Sequence, residues 1–225
     1  AIYQTIFART FWMSAVMTVT CIILGFPIAY LLANVSSKLS NWLLLLVLLP
    51  FWTSLLVRTL AWLVVLQRQG VANDALTTVG LIGEPIQLLN TRFAVYVAMV
   101  HILLPFLILP LYSVMMRIPK SYMRAASGLG ARPVFAFFTV YLPLTLPGIG
   151  AGALLVSVLT LGFYITPSLL GGPTDQLVSY FIAFYTNQSI NWGMASALGV
   201  WLLIFTAALF AALNTFVGID RSGAR

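Results

Sequence analysis

Long apolar runs separated by short polar interruptions set the plan of this chain. Five runs approach or exceed the roughly 20 residues with which an α-helix crosses a hydrocarbon core of about 30 Å: 11–33, 42–66, 93–116, 147–165 and 193–216. They are too long and too evenly apolar for the alternating strands of a membrane barrel, so the pattern predicts an all-α, polytopic membrane protein with five visible transmembrane helices. The first run opens on Phe11 and Trp12, suited to a membrane interface, and holds Gly25 and Pro27, where a kink is expected. Its short exit loop makes the first two runs antiparallel neighbours. Pro50 interrupts the second run. In the fourth, Gly148 and Gly152 stand as G-x-x-x-G, a spacing for close helix packing. Two longer connections, 67–91 and 168–191, carry breakers and apolar pieces. In the first, 75–79 and 86–89 predict a short helix or interfacial segment. In the second, the piece around 178–185 reads as re-entrant or amphipathic after Gly171-Gly172-Pro173.

Composition agrees with that plan. Of 225 residues, 61% are hydrophobic and 7% charged, and a mean hydropathy of +1.04 excludes an ordinary soluble domain. The net charge of +7 would point to nucleic acid in a soluble protein, so its distribution matters. One side of the membrane receives Lys38, Arg117, Lys120, Arg124, Arg132, Arg221 and Arg225 against Asp220. The other receives Arg9, Arg68 and Arg92 against Asp74, Glu84 and Asp175. By the positive-inside rule the first side is cytoplasmic, which accounts for the charge without nucleic acid and puts the C-terminus there too. Five crossings leave the two ends on opposite sides, so a further helix ahead of Ala1 is expected. Cys21, the single cysteine, reads as a small buried residue and leaves no disulfide framework or cysteine metal cluster.

The sequence offers little chemistry for an enzyme. Gly-Lys occurs nowhere, so no phosphate-cradling loop is present, and neither paired carboxylates, a Ser-His-Asp order nor metal-ligand spacing appears. Any ATP hydrolysis belongs to a partner. Two ionisable residues fall inside runs. Arg58 costs about 2.5–3.5 kcal/mol at a helix centre on insertion scales, which it relieves by snorkelling outward, by facing a watery cavity or by meeting a neighbouring subunit. His101 is a candidate proton relay, but no Asp or Glu lies in any run, which favours a hydrogen bond to another helix. An ion-coupled secondary carrier using His101 and Arg58 is therefore an alternative class.

What remains is the basic interruption at 117–147. Pro119 and Ser121 suit a helix start, a short helix over 121–129 follows, and Gly130 can end it in the left-handed region. Pro133 fits the first position of a second helix over 134–142, which Pro143 and Pro147 are expected to break twice. A short helix rich in small residues between breakers is suited to a partner's groove.

Here Arg124-Ala125-Ala126, three residues, Gly130, nine residues and Val140-Tyr141-Leu142-Pro143 resemble the EAA loop of ABC-importer permeases. Val140 for Ile is a mild departure; Arg124 for Glu reverses a charge. The stretches 49–59, 105–112 and 161–172 look like those of spermidine/putrescine-type permeases, so the resemblance covers nearly the whole chain. It implies a type I ABC importer permease fold with six helices in the full protein, and one transmembrane domain over 1–225 containing the cytoplasmic coupling loop 117–147. It implies a bacterial-type inner membrane, a cytoplasmic ATPase dimer holding ATP and Mg, a second permease of a different chain, and an extracytoplasmic binding protein. No cofactor is implied in this chain. Coupling to the ATPase would use Tyr122, Met123, Arg124, Ala125, Ala126, Leu129, Gly130 and Pro143. The passage would involve Trp52, Thr53, Arg58, Phe163 and Tyr164, with Trp62 a further aromatic, although the same aromatics also suit lipid anchoring. The resemblance implies a polyamine as solute, with an opine, an amino-acid-like solute or an anion as alternatives.

Overall fold

In the computed structural model the described residues are 2–217, with side chains described through residue 212. Helix α1 spans Ile2–Asn34 and is followed by α2 at Ser37–Leu48. After a single 3-10 turn at Leu49–Trp52, α3 runs over Leu55–Val65. A short α4, Val71–Thr78, precedes α5 at Arg92–Met115. Next come α6, Lys120–Gly128, and α7, Pro133–Ala136. A π turn at Phe137–Tyr141 joins α7 to α8, Leu142–Gly162. Short helices α9, Ile165–Leu170, and α10, Val178–Asn187, lead to α11, Trp192–Val217.

Among the described residues four helices are long and apolar enough to cross a membrane: α1, α5, the continuous Pro133–Gly162 rod and α11. The pair from Ser37 to Val65 makes a fifth, but it is bent by 94°. The five runs therefore become five crossings only if this elbow counts as one. Pro50 inside the 3-10 turn removes a donor, and Thr53 and Ser54 are extended (ψ 144° and 145°), so the helix stops and restarts.

The centre is a three-helix packing of α1, α5 and α8. Met13, Met17 and Cys21 of α1 meet Ala98, Met99, Leu103 and Leu107 of α5 and Val156 of α8 in one fully buried cluster. Towards the other end, Ala29, Leu32, Ile108, Leu111, Met115 and Tyr141 form a second. α5 and α8 make the most extensive contact because glycines open it: a Cβ at Gly152 would stand 3.1 Å from Leu107 Cα and 3.0 Å from its oxygen, and one at Gly148 would stand 3.1 Å from Leu111 Cα. The G-x-x-x-G spacing thus serves the close approach expected of it. Polar links cross the core as well, with Ser14 Oγ donating to the Ser157 carbonyl at 3.2 Å and Thr18 and Ser157 hydroxyls 2.9 Å apart.

Two boundaries differ from the hydropathy pattern. α1 begins at Ile2 rather than residue 11, because Ile6 packs with Val178 and Leu198, and Thr10 Oγ1 accepts the Val178 N–H at 3.1 Å. Tertiary packing makes helix of a polar stretch containing Gln4, Thr5 and Arg9. The second difference is at Pro143 and Pro147, which do not break the chain twice: one rod runs from Pro133 to Gly162. Leu142 N–H reaches back to the Phe137 carbonyl, an i to i−5 bond. The widened turn takes up the disturbance that Pro143, which has no N–H, would otherwise make in the α-helical ladder. α1 likewise continues through Pro27.

In the 67–91 connection the helix starts at Val71, ahead of the expected segment. Asn73, buried there, donates to the carbonyls of Gln67 and Ile86 and accepts the Ile86 N–H at 3.0 Å. The tail bearing Asp220, Arg221 and Arg225, with the cytoplasmic assignment of the C-terminus, lies outside the described residues.

Candidate functional site: the exposed helix and the elbow

The segment between α5 and α8 leaves the packed helices entirely. No residue of α6 is buried, and Tyr122 and Leu129 stand in the open, Leu129 with 90% of its surface exposed. Arg117, Lys120, Arg124 and Arg132 are all exposed, without an acidic partner among the described residues. The end of α6 is a complete left-handed cap. Gly130 has φ +86°, its N–H bonds the Ser127 carbonyl at 3.0 Å, and Ala131 N–H bonds the Ala126 carbonyl at 3.0 Å. That paired closure leaves the helix rigid to its last turn. The adjoining hollow, about 610 Å³, is lined by Ala126, Leu129, Gly130, Arg132, Phe135 and Val140.

α6 packs against the π turn, and the π turn is continuous with α8. Phe137 stacks on Tyr141 at 5.6 Å, and both rings meet Tyr30 of α1 edge-on at 5.8 and 5.3 Å. α6 is thereby connected to α1 and α8 through aromatic rings in contact. Pro143, predicted to belong to the same loop, sits inside the Pro133–Gly162 rod.

The residues considered for a passage fall around two interruptions. Trp52 and Thr53 lie at the elbow, Trp52 with 88% of its surface exposed. Phe163, in extended conformation, and Tyr164 form the break between α8 and α9, where the Phe163 carbonyl accepts from Ser179 Oγ at 2.5 Å. The two breaks are linked through the helices that follow them: Thr59 of α3 and Thr166 of α9 share a hydroxyl contact at 3.1 Å, both fully buried. Phe163 itself turns inward against the buried cluster, while Tyr164 is exposed. Phe163 therefore contributes packing at this point.

His101 has the cross-helix partner expected of it, accepting from Trp62 Nε1 at Nδ1, 3.3 Å away. Among the described residues it belongs to no cluster of His, Cys, Asp or Glu side chains and to no ion pair. Arg58 lies four residues before Trp62 and so shares its helix face. Its Nε is covered and meets no acceptor among the described residues. Replacing Arg58 with Leu removes a charge that opposes insertion by about 2.5–3.5 kcal/mol at a helix centre. The inserted amount is expected to hold or rise while uptake falls roughly tenfold, equivalent to about 1.4 kcal/mol on the barrier. Uptake unchanged at equal abundance would remove Arg58 from the passage.

Sequence reasoning missed the opposite end altogether. Arg92 Nε donates to Asp175 Oδ1 at 2.8 Å, Asp175 Oδ2 accepts the Gly172 N–H at 3.2 Å, and Arg9 donates to the Thr174 carbonyl. The partners are 83 and 165 residues apart, beyond any local pattern.

The sequence pattern of the family described as "Binding-protein-dependent transport system inner membrane component" matches residues 7–219. The chain is 38% identical over 212 residues to the spermidine/putrescine transport system permease protein PotB of Haemophilus influenzae, covering 92% of this chain and 74% of the relative. Similarity to PotB of Escherichia coli K12 is 34% over 203 residues, covering 90% and 74%. The molybdenum transport system permease ModB of Mycobacterium bovis is 30% identical over 210 residues, covering 92% and 78%. Among solved structures, a chain of a bacterial alginate ABC transporter in complex with an alginate-bound periplasmic protein superimposes with a TM-score of 0.78 at 18% identity, covering 95% of this chain and 77% of that one.

Proposed function

Because this chain belongs to the family of binding-protein-dependent transport system inner membrane components, we propose that it is the permease subunit of an ATP-driven importer of polyamines such as spermidine and putrescine. The observation that carries the solute assignment is the 38% identity, across nine-tenths of the chain, to a spermidine/putrescine permease. The chain itself is a transport subunit. ATP and Mg are handled by a separate ATPase dimer on the cytoplasmic side, where α6 and the C-terminus lie. A second permease chain completes the passage, and a binding protein delivers solute from outside.

Function follows from rigidity at α6 and adjustability beyond it. An ATPase that grips Tyr122, Met123, Arg124, Ala125, Ala126 and Leu129 moves α6 as one body, since the cap at Gly130 prevents its last turn from fraying. The π turn delivers that movement to α1 and α8, and the α5–α8 contact carries it to the elbow. Solute passes along surfaces that hold no acidic side chain within a crossing. A polyamine there meets the aromatic faces of Trp52 and Tyr164, each contact contributing about 0.5–2 kcal/mol. Weak, repeated contacts suit a passage, because a carboxylate cage would retain the cation. Arg58 favours a second reading, an anionic solute, to which the likeness to a molybdenum permease also leans.

One assay separates these readings. Purified with its ATPase and second permease in proteoliposomes, the complex is expected to hydrolyse ATP several-fold faster when spermidine-loaded binding protein is added. Uptake should persist under an ionophore. Stimulation by molybdate instead of spermidine would select the anionic solute, and uptake that an ionophore collapses without need for ATP would refute the importer.

A further inference from the structure

The end of the molecule opposite α6 carries a basic hollow apart from the exposed helix and the elbow. Its volume is about 530 Å³, and Thr5, Ala8, Arg9, Trp12, Arg92 and Thr174 line it. On α1 the first four follow the i, i+3, i+4, i+7 stripe of one helix face, so Arg9 and Trp12 project side by side over a floor of small residues. Arg92, at the start of α5, forms the facing wall. The hydrogen bonds of the described residues engage Arg92 through Nε, to Asp175, and Arg9 through one terminal nitrogen, to the Thr174 carbonyl. Arg9 Nε meets no acceptor. Two guanidiniums against one carboxylate leave one positive charge over at this spot, although the side as a whole carries three basic against three acidic residues.

Depth identifies what that charge faces. At about 1.5 Å per residue the 33 residues of α1 extend roughly 50 Å, against about 30 Å of hydrocarbon, so its first turns stand among headgroups. Trp12, with 65% of its surface exposed, marks the boundary. Arg9 lies one turn further out, about 4.5 Å along the axis, where lipid phosphates are found.

We propose that the hollow between Arg9, Trp12 and Arg92 is a binding site for the phosphate of an anionic phospholipid in the leaflet at this end. Planar guanidiniums match phosphate oxygens in paired bonds, and the indole lies beside the start of the acyl chains. Lipid bound there joins α1 to α5 and to the 173–175 loop, reinforcing the Arg92–Asp175 contact from outside.

The test uses the purified full chain in a neutral detergent, titrated with phosphatidylglycerol, with a phosphate-free galactolipid, or with inorganic phosphate. Native mass spectrometry is expected to retain one phosphatidylglycerol at least fivefold more strongly than the galactolipid, with a higher melting temperature. Arg9→Gln should abolish that preference, while Arg9→Lys, which keeps the charge, should preserve most of it. A photoreactive phosphatidylglycerol should crosslink to the peptide containing Arg9 and Trp12 in the unsubstituted protein, a readout independent of any variant's folding. Equal stabilisation by inorganic phosphate would assign the site to a soluble anion and overturn the lipid proposal. So would crosslinks elsewhere, or undiminished lipid preference in Arg9→Gln. If that variant kept its lipid but lost capture of its binding protein, the hollow would belong to an acidic protein surface instead.

Discussion

Uptake by the Gly130→Pro variant is expected to fall below a hundredth of the unsubstituted level, with normal amounts of protein in the membrane. Gly130 stands at φ +86°, whereas proline holds φ near −65°, and its missing N–H deletes the bond to Ser127. The disturbance, about 3 kcal/mol or more, stays local, because nothing lies within 4 Å of where a side chain at 130 would begin. Helix α6 then loses its closure and its direction into Pro133. ATP hydrolysis by the assembled complex should become independent of solute, since the ATPase no longer moves a rigid body. Gly130→Ala meets only the left-handed penalty, about 1–2 kcal/mol, and should weaken coupling partially. Ala126→Trp, placing bulk in the hollow that α6 forms with Phe135 and Val140, should match the proline variant in transport and leave the cap intact. Wild-type uptake by both Gly130→Pro and Ala126→Trp would end the coupling assignment of α6.

A different failure awaits Gly152→Val. Its Cβ would press on Leu107 backbone atoms at 3.0–3.1 Å, which cannot rotate away as a side-chain tip can. α5 and α8 must separate, at about 1–3 kcal/mol for the overpacking and more for the looser packing along the rest of their interface. The expected result is a melting temperature in detergent lower by several degrees and a reduced steady-state level. Gly162→Ala and Gly199→Ala are the matched controls, since neither added Cβ meets anything within 4 Å. Equal stability of the valine variant and these controls would mean that the close α5–α8 approach is dispensable.

These two glycines show what a linear reading captures. Gly130 could be placed because helix ends obey local rules: a short helix, a glycine, then proline. Gly148 and Gly152 could be paired because helical spacing puts both on one face. The rod through Pro143 escaped, since a π turn has no residue signature of its own, and proline ordinarily signals a stop. The start of α1 escaped because Gln4, Thr5 and Arg9 look like a terminus until α10 and α11 cover Ile6. Pro50 announced an interruption, but its 94° angle depends on what α3 packs against, chiefly Thr166 across the molecule. The Arg92–Asp175 pair joins residues whose only relation is their place in the fold.

The elbow at Pro50 also says something about wetness. Its arms, 12 and 11 helical residues, reach about 18 and 16 Å, so neither crosses the bilayer alone, and if the bent pair counts as one crossing its corner falls inside the bilayer. There the amides of Leu55, Leu56 and Val57 precede the first helical bond, from Arg58 N–H to the Ser54 carbonyl, and no acceptor among the described residues takes them. Acyl chains cannot solvate three such donors, each costing several kcal/mol in hydrocarbon. As a crossing, such a corner needs water or another subunit over it, and either would keep lipid away from Trp52 and Thr53.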